Sequence, residues 1–360
     1  MPNSNPRSVY SVAVVGLGAI AQGYGSPQDA APYCHVGGVR LSPRFALAAA
    51  ADPFPAAREN FREKWGGAFP DVALHDSLEV MLAARPYDCV AVCVRGPHHQ
   101  EILRQVFAAK PRLIFLEKPP TPSLRDQDEV MDLSRRTGVP VTVSYSRHWG
   151  AAMMRMAELI RGGLIGRVRG VVAYCGGRTL SFASHTTELL CRFATLTEPG
   201  APLTVTATGA DCAHPTAAVP PEFAARGFEV EPDLWGMQVT FSNGVLATQV
   251  GRQGDHGQFY ADVFGETGRA RVGFPSVFAA FDAENKPIEL PPVEKDGGPF
   301  TTAYGQIAAY LDGGPVPDCT GDEFAVVNKI GFGAIESIRS GAAPVALPNA
   351  RRDRIIYANG

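Results

Sequence analysis

A chain of 360 residues is long for one core and comfortable for two domains, and its 45% hydrophobic and 19% charged content is that of an ordinary globular protein. The formal net charge is −3 with no long run of one sign. That argues against nucleic acid or an anionic membrane as the main partner, because both call for clustered Lys and Arg. No apolar stretch reaches the roughly 18–20 residues of a membrane span. The run Val12–Ile20 is broken by Gly16 and Gly18 and lacks the flanks of a signal peptide. Seven scattered cysteines, none in a C-x-x-C pair, predict free thiols in a reducing compartment, hence the cytoplasm, and no metal site is expected.

The first 145 residues alternate strand-like and helix-like segments. Val12–Val15 is a short apolar run ending in glycine, and Phe45–Ala51 is a second, followed by Asp52. Pro55–Trp65 has helical spacing, and Ser77–Arg85 is a helix with Ser77 as its N-cap. Cys89–Val94 (strand), His99–Ala109 (helix) and Leu113–Leu116 (strand) follow, the last stopped by Glu117-Lys118-Pro119-Pro120. Ser123–Thr137 is a helix closed by Gly138, and Val139–Tyr145 is another strand. Such repeated β-α-β units with almost wholly apolar strands predict a doubly wound parallel sheet covered on both faces.

After residue 147 the grammar changes. Ala151–Arg161 and Thr186–Ala194 are helical. Strand-like runs occur at Val168–Tyr174, Leu203–Gly209, Trp235–Phe241, Val245–Arg252, Phe259–Gly265 and Ala270–Val272. Ser242-Asn243-Gly244 and Glu266-Thr267-Gly268 sit between strands as hairpin turns. The expected fold class is therefore an α/β Rossmann domain, residues 1–146, followed by an α+β domain, residues 147–360, with an open, mainly antiparallel sheet. A late helix, Phe324–Ser340, is expected to pack back on the first domain.

The segment Gly16-Leu-Gly18-Ala19-Ile20-Ala21 is G-x-G-x-x-A directly after a strand. Gly16 would allow a tight turn, Gly18 a close approach of backbone to a pyrophosphate, and Ala21 tight helix–strand packing. The following helix N-terminus favours an anion. Asp52 ends the second strand, where its carboxylate would bond ribose hydroxyls and repel a 2′-phosphate, so NAD(H) is favoured over NADP(H). The gap from the glycines to Asp52 exceeds the usual spacing of about 20 residues. Tyr24–Cys34, rich in Gly, Pro and small residues, accounts for it as a loop inserted in the first crossover.

Glu117 and Lys118 lie at the C-terminal end of a parallel strand, the edge at which open α/β sheets bind ligands. A lysine desolvated there would have a lowered pKa. A solvated loop lysine fits the position as well. Together with Gly16–Ala21, Asp52 and the stretch Gly176–Glu188, the Glu117-Lys118-Pro119 motif makes the chain resemble the Gfo/Idh/MocA oxidoreductase family along nearly its whole length. The resemblance implies a Rossmann domain plus an open-faced sheet used for assembly as a homodimer or homotetramer. It also implies hydride transfer between NAD(P) and a sugar or cyclitol hydroxyl.

By the same resemblance, Lys118 touches the reacting hydroxyl and His185 exchanges its proton, a role that suits an imidazole. Arg147 and His99 fall at family positions near cofactor or substrate, with Gly16, Gly18, Ala19, Ile20, Asp52, Val94, Arg95 and Glu117 completing the cofactor set. Interface and structural roles fit Arg147 and His185 too. The chain departs from the family pattern at Ser181, where an aspartate is common, at Glu188, and at Val94-Arg95-Gly96-Pro97. Ser181 would lie near the substrate but cannot balance an imidazolium. Arg95 suggests an anionic substrate such as a uronate or nucleotide sugar, although a plain surface arginine is equally consistent. Three functions remain open: an NAD-dependent dehydrogenase or reductase, a non-catalytic NAD-binding regulatory partner, and a glycosidase that uses NAD transiently.

Overall fold

The computed structural model describes residues 9–212, 218–252, 259–274, 277–294, 297–347 and 350–358. The chain forms two compact units. The first comprises Met1–Glu117, Asp128–Trp149 and Lys295–Gly321; the second comprises Lys118–Gln127, Gly150–Glu294 and Asp322–Gly360. The simple division at residues 146 and 147 is thereby corrected, because the chain returns to the first unit late and enters the second early.

The first unit contains β1 (Tyr10–Val15), α1 (His35–Leu41), β2 (Phe45–Ala51), α2 (Pro55–Trp65), β3 (Ala73–His75), α3 (Leu78–Ala84), β4 (Cys89–Val92), α4 (His99–Ala109), β5 (Leu113–Glu117), most of α5 (Leu124–Thr137) and β6 (Val141–Ser144). The six strands run in the order β3-β2-β1-β4-β5-β6, and every neighbouring pair is parallel. Strands β4, β5 and β6 are buried at every residue, as helices on both faces require. The order reverses between β1 and β4, which makes the C-terminal ends of these strands the switch point where such sheets bind ligands. Ser77 caps α3 by accepting from the Val80 amide at 3.2 Å, and Gly138 closes α5 at φ +72°.

The first crossover differs from a simple strand–turn–helix. After the glycine turn the chain makes one π-helical turn, Ala19–Gly23, runs through residues 24–34, and only then starts α1. The intervening loop is pinched shut by the Tyr33 amide on the Tyr24 carbonyl at 2.9 Å. The helix Pro299–Leu311, not anticipated from the sequence, packs on α1. Gly38 permits the approach, since a Cβ there would lie 2.7 Å from the Cβ of Phe300.

The second unit opens with α6 (Ala151–Arg161) and continues through β7 (Val168–Tyr174), β8 (Gly177–Arg178), α7 (Ser184–Ala194), β9 (Pro202–Asp211), β10 (Phe228–Val230), β11 (Pro232–Phe241), β12 (Leu246–Val250), β13 (Phe259–Gly265), β14 (Gly268–Phe274), β15 (Val277–Asp282), β16 (Pro287–Ile288), β17 (Val345–Ala346) and β18 (Ile355–Tyr357). Its main sheet follows the order β16-β15-β14-β13-β7-β12-β11-β9-β17, with β8 paired to β11. All of its pairings are antiparallel except β12 with β7. Helices α6, α7 and Asp322–Arg339 cover one face, over a core that includes Val171, Val239, Ala247 and Val263. The other face alternates outward and leaves Trp235, Leu246, Val250 and Phe264 partly exposed. The late helix thus packs on the second unit's own sheet, against β9 and β11, which corrects the expectation that it returns to the Rossmann layer.

Gly16 adopts φ +86°, and a Cβ there would lie 3.1 Å from the Cys93 carbonyl carbon. Both the left-handed backbone and the crowding penalise any side chain. Gly16→Ala should lower stability by about 1–3 kcal/mol, read as a shift in the urea unfolding midpoint at unchanged m-value.

Candidate functional site

In the Rossmann unit, the residues expected to bind cofactor gather at the C-terminal edge of the sheet. The β1 turn is set by two bonds: the Gly16 amide donates to the Ala51 carbonyl at 2.8 Å, and the Leu17 amide donates to Asp52 Oδ2 at 2.8 Å. Asp52 Oδ1 accepts from the Phe54 amide at 2.9 Å, and the residue is largely buried. Its carboxylate therefore shapes the glycine turn as well as marking the end of β2. Around Gly18 the surface is open, since a Cβ there would meet no atom within 4 Å. Gly18 and Ala19 are exposed and Ile20 is half-buried. An open glycine turn beside a buried carboxylate fits a dinucleotide.

The loop after β4 carries the next group. Val94 is half-buried and Arg95 is exposed. His99 has no exposed surface, and its Nε2 lies 2.8 Å from the Val94 carbonyl. Through that contact His99 fixes the loop backbone. Arg147 lies half-buried in the 3₁₀ turn Ser146–Trp149 that follows β6. The adjacent His148 is held by Asp318 at 3.1 Å, in keeping with a structural part.

Glu117 has its side-chain partner within the first unit. It is buried at the end of β5, and its Oε1 lies 3.0 Å from Nε2 of His35, which has no exposed surface. The other ring nitrogen meets the Tyr304 hydroxyl at 3.2 Å. The Phe115 and Phe300 rings pack edge-on against the imidazole at 4.8 and 4.7 Å. Burial pushes the Tyr304 hydroxyl well above the usual phenol range and the Cys34 thiol up to about 11, so both stay protonated. Glu117 is thus built into the wall of the first unit, with its side chain on His35. No motif marks His35 or Tyr304, because their partners lie 82 and 269 residues away from His35.

The second unit holds the other expected residues. The half-buried Lys118 donates from Nζ to the Ser181 carbonyl at 2.6 Å. Ser181 lies in the turn between β8 and α7, closed by the Phe182 and Ala183 amides on the Arg178 carbonyl at 3.0 and 2.9 Å. His185 is buried in the first turn of α7. Lys118 is thereby brought to the turn that leads into the helix bearing His185. The Lys118–Gln127 segment is anchored by Asn328 of the late helix, whose Nδ2 donates to Thr121 Oγ1 at 3.0 Å and Gln127 Oε1 at 2.9 Å. All seven cysteines are free thiols. No helix among the described residues is long and apolar enough to cross a membrane.

Comparison with known proteins agrees with this architecture. Residues 10–145 match the family described as an oxidoreductase family with an NAD-binding Rossmann fold. A curated relative, an uncharacterised oxidoreductase of Schizosaccharomyces pombe, is 28% identical over 101 residues, which are 28% of this chain and 27% of that protein. Among solved structures, a candidate NADPH-dependent oxidoreductase of Desulfitobacterium hafniense superposes with TM-score 0.74 at 16% identity, over 94% of this chain and 98% of that one. The WlbA dehydrogenase of Bordetella pertussis, solved with NADH and UDP-GlcNAcA, gives 0.69 at 19% identity, over 94% and 99%. Myo-inositol 2-dehydrogenase of Lactobacillus plantarum gives 0.69 at 18% identity, also over 94% and 99%. The structural likenesses show the shared fold, and the match to the Gfo/Idh/MocA oxidoreductase family covers the Rossmann part of the chain, residues 10–145.

His35→Phe would fill the space among the aromatic rings while removing the imidazole from Glu117. Leaving a buried hydrogen-bonding group without its partner typically costs about 1–3 kcal/mol. Chemical denaturation should register a loss of that order, whereas an unchanged midpoint would show that the pair contributes nothing.

Proposed function

We propose that the protein is an NAD-dependent dehydrogenase or reductase acting on a secondary alcohol or ketone of a sugar, sugar-nucleotide or cyclitol-like substrate. The observation that carries this reading is the bond from the Lys118 ammonium to the Ser181 carbonyl, in the turn leading into α7, which bears His185. The glycine turn Gly16–Ile20 and Asp52 would hold the dinucleotide, with Val94, Arg95 and Arg147 nearby on the same sheet edge. NAD, when bound, supplies a hydride acceptor at nicotinamide C4. His185 would take the alcohol proton as general base. Lys118 would stabilise the developing alkoxide with its ammonium, one of whose three N–H donors goes to Ser181.

Asp52 supports NAD over NADP by charge, although one structural neighbour is described as NADPH-dependent. The dehydrogenase neighbours that bind UDP-GlcNAcA or are named for myo-inositol support a polyhydroxylated substrate. Arg95 supports an acidic one. The partly exposed sheet face with Trp235, Leu246, Val250 and Phe264 supports self-association as a homodimer or homotetramer. Free thiols and the charge balance support a cytoplasmic location.

The test is NADH formation at 340 nm against a panel of cyclitols, hexuronates and nucleotide sugars, with NAD and NADP in parallel. Turnover with NAD is expected to exceed that with NADP by about tenfold or more in kcat/KM. Lys118→Ala and His185→Ala should each lower kcat by about 10²–10⁴ with dinucleotide binding retained. Full activity in the Lys118 variant would refute the mechanism. NADH tightly bound without turnover on any substrate would point instead to a binding protein, and bond cleavage without net NADH to a glycosidase.

A further inference from the structure

Glu231 is a fully buried carboxylate with no part in the hydride transfer proposed above. It joins β10 to β11 and has no exposed surface. Its Oε1 accepts from the Leu180 amide at 2.5 Å and the Ser181 amide at 2.6 Å. Its Oε2 accepts from the Ser181 hydroxyl. The neighbouring Pro232 carbonyl receives both the amide and the hydroxyl of Thr179, at 3.0 and 2.8 Å. Three consecutive residues, 179–181, are thus tied to the 231–232 corner.

Placing a carboxylate here is costly. Burial pushes its pKa up, while the Ser181 hydroxyl, the two amides and the charge of Arg178 draw it back. Each donor alone satisfies a lone pair, but together they fix Ser181 at two points, its amide and its side chain. The carbonyl of the same residue is then aimed in one direction, and Lys118 Nζ lies 2.6 Å from it. A neutral apolar corner would fill the same volume without the desolvation penalty, but would leave the turn and its carbonyl untethered.

We propose that Glu231 is the positioning carboxylate of this site, holding Ser181 from the β10–β11 corner so that the Ser181 carbonyl fixes the Lys118 ammonium. The assignment rests on the reading of Lys118 as the group that meets the reacting hydroxyl. It supplies from a distant strand a carboxylate for the turn in which Ser181 stands. Glu231 acts through Ser181 and touches no substrate.

The experiment uses the full chain and two readouts. The first is the rate at which each lysine is modified by a small amine-directed reagent, followed by mass spectrometry. Lys64, Lys110, Lys286 and Lys329 serve as internal references. The second is the split between kcat and KM on whichever substrate turns over. Glu231→Gln keeps the volume and an acceptor for the amides but turns a donor toward the Ser181 hydroxyl. It should raise the labelling rate of Lys118 severalfold over the reference lysines. It should also lower kcat about ten- to a hundredfold with the KM for NAD within about twofold. Glu231→Asp, one methylene shorter but still ionised, should lie between. Should Glu231→Gln fail to fold, Ser181→Ala removes only the hydroxyl arm, and the same two shifts should appear in weaker form. Unchanged Lys118 labelling in a folded variant, or labelling that rises equally at every lysine, would overturn the assignment. Faster Lys118 labelling in a protein with no turnover on any substrate would uphold the positioning and sink only the hydride-transfer reading.

Discussion

A carboxylate kept out of water at the end of β5 constrains much of the first unit. His35 meets Glu117 there, and it does so from the start of α1, which the chain delays until after the residue 24–34 loop. The aromatic shell of Phe115, Phe300 and Tyr304 then excludes solvent from the pair, and the helix Pro299–Leu311 must return to supply two of those rings. The late return of the chain to the Rossmann unit thus has a local physical reason: the imidazole needs a ceiling. In a water-poor setting the pair gives the strand end a defined geometry just before Lys118.

Much of the fold is legible in the sequence because its signals are local. Phe45–Ala51, Pro55–Trp65, His99–Ala109, Ala151–Arg161, Val168–Tyr174 and Phe259–Gly265 are read with their true limits, since each has a clean apolar period and a punctuating neighbour. The glycine turn announces itself by strand context, and the inserted loop by its composition. Other elements are illegible for equally physical reasons. Ala73–His75, Val345–Ala346 and Ile355–Tyr357 are too short to carry a period, and exist because a neighbour offers an edge. The helix Pro299–Leu311 follows a proline- and glycine-rich stretch that reads as loop.

The site divides in the same way. Asp52, Glu117, Lys118 and Ser181 of the candidate site are visible because motifs place them at strand ends or turns. The partners that orient them are not. His35 and Glu231 are ordinary residues in stretches without a motif, and their meaning lies in contacts across 82 and 50 or 51 positions. His99 likewise meets the Val94 carbonyl, a contact that no motif announces. Long-range hydrogen bonding leaves no period in a sequence, so the groups that aim a site are harder to read than the groups that compose it.

One carboxylate does two jobs in the glycine turn. Asp52 anchors the Leu17 amide, and thus the loop beneath a pyrophosphate, while standing where a ribose would be read. A mutation that discards the acid to admit a phosphorylated ribose would also loosen the loop. Position 52 therefore couples the shape of the turn to the charge beside it, and neither can be changed alone. Arg58 ties the same residue from its backbone side, its guanidinium donating to the Asp52 carbonyl at 2.5 Å.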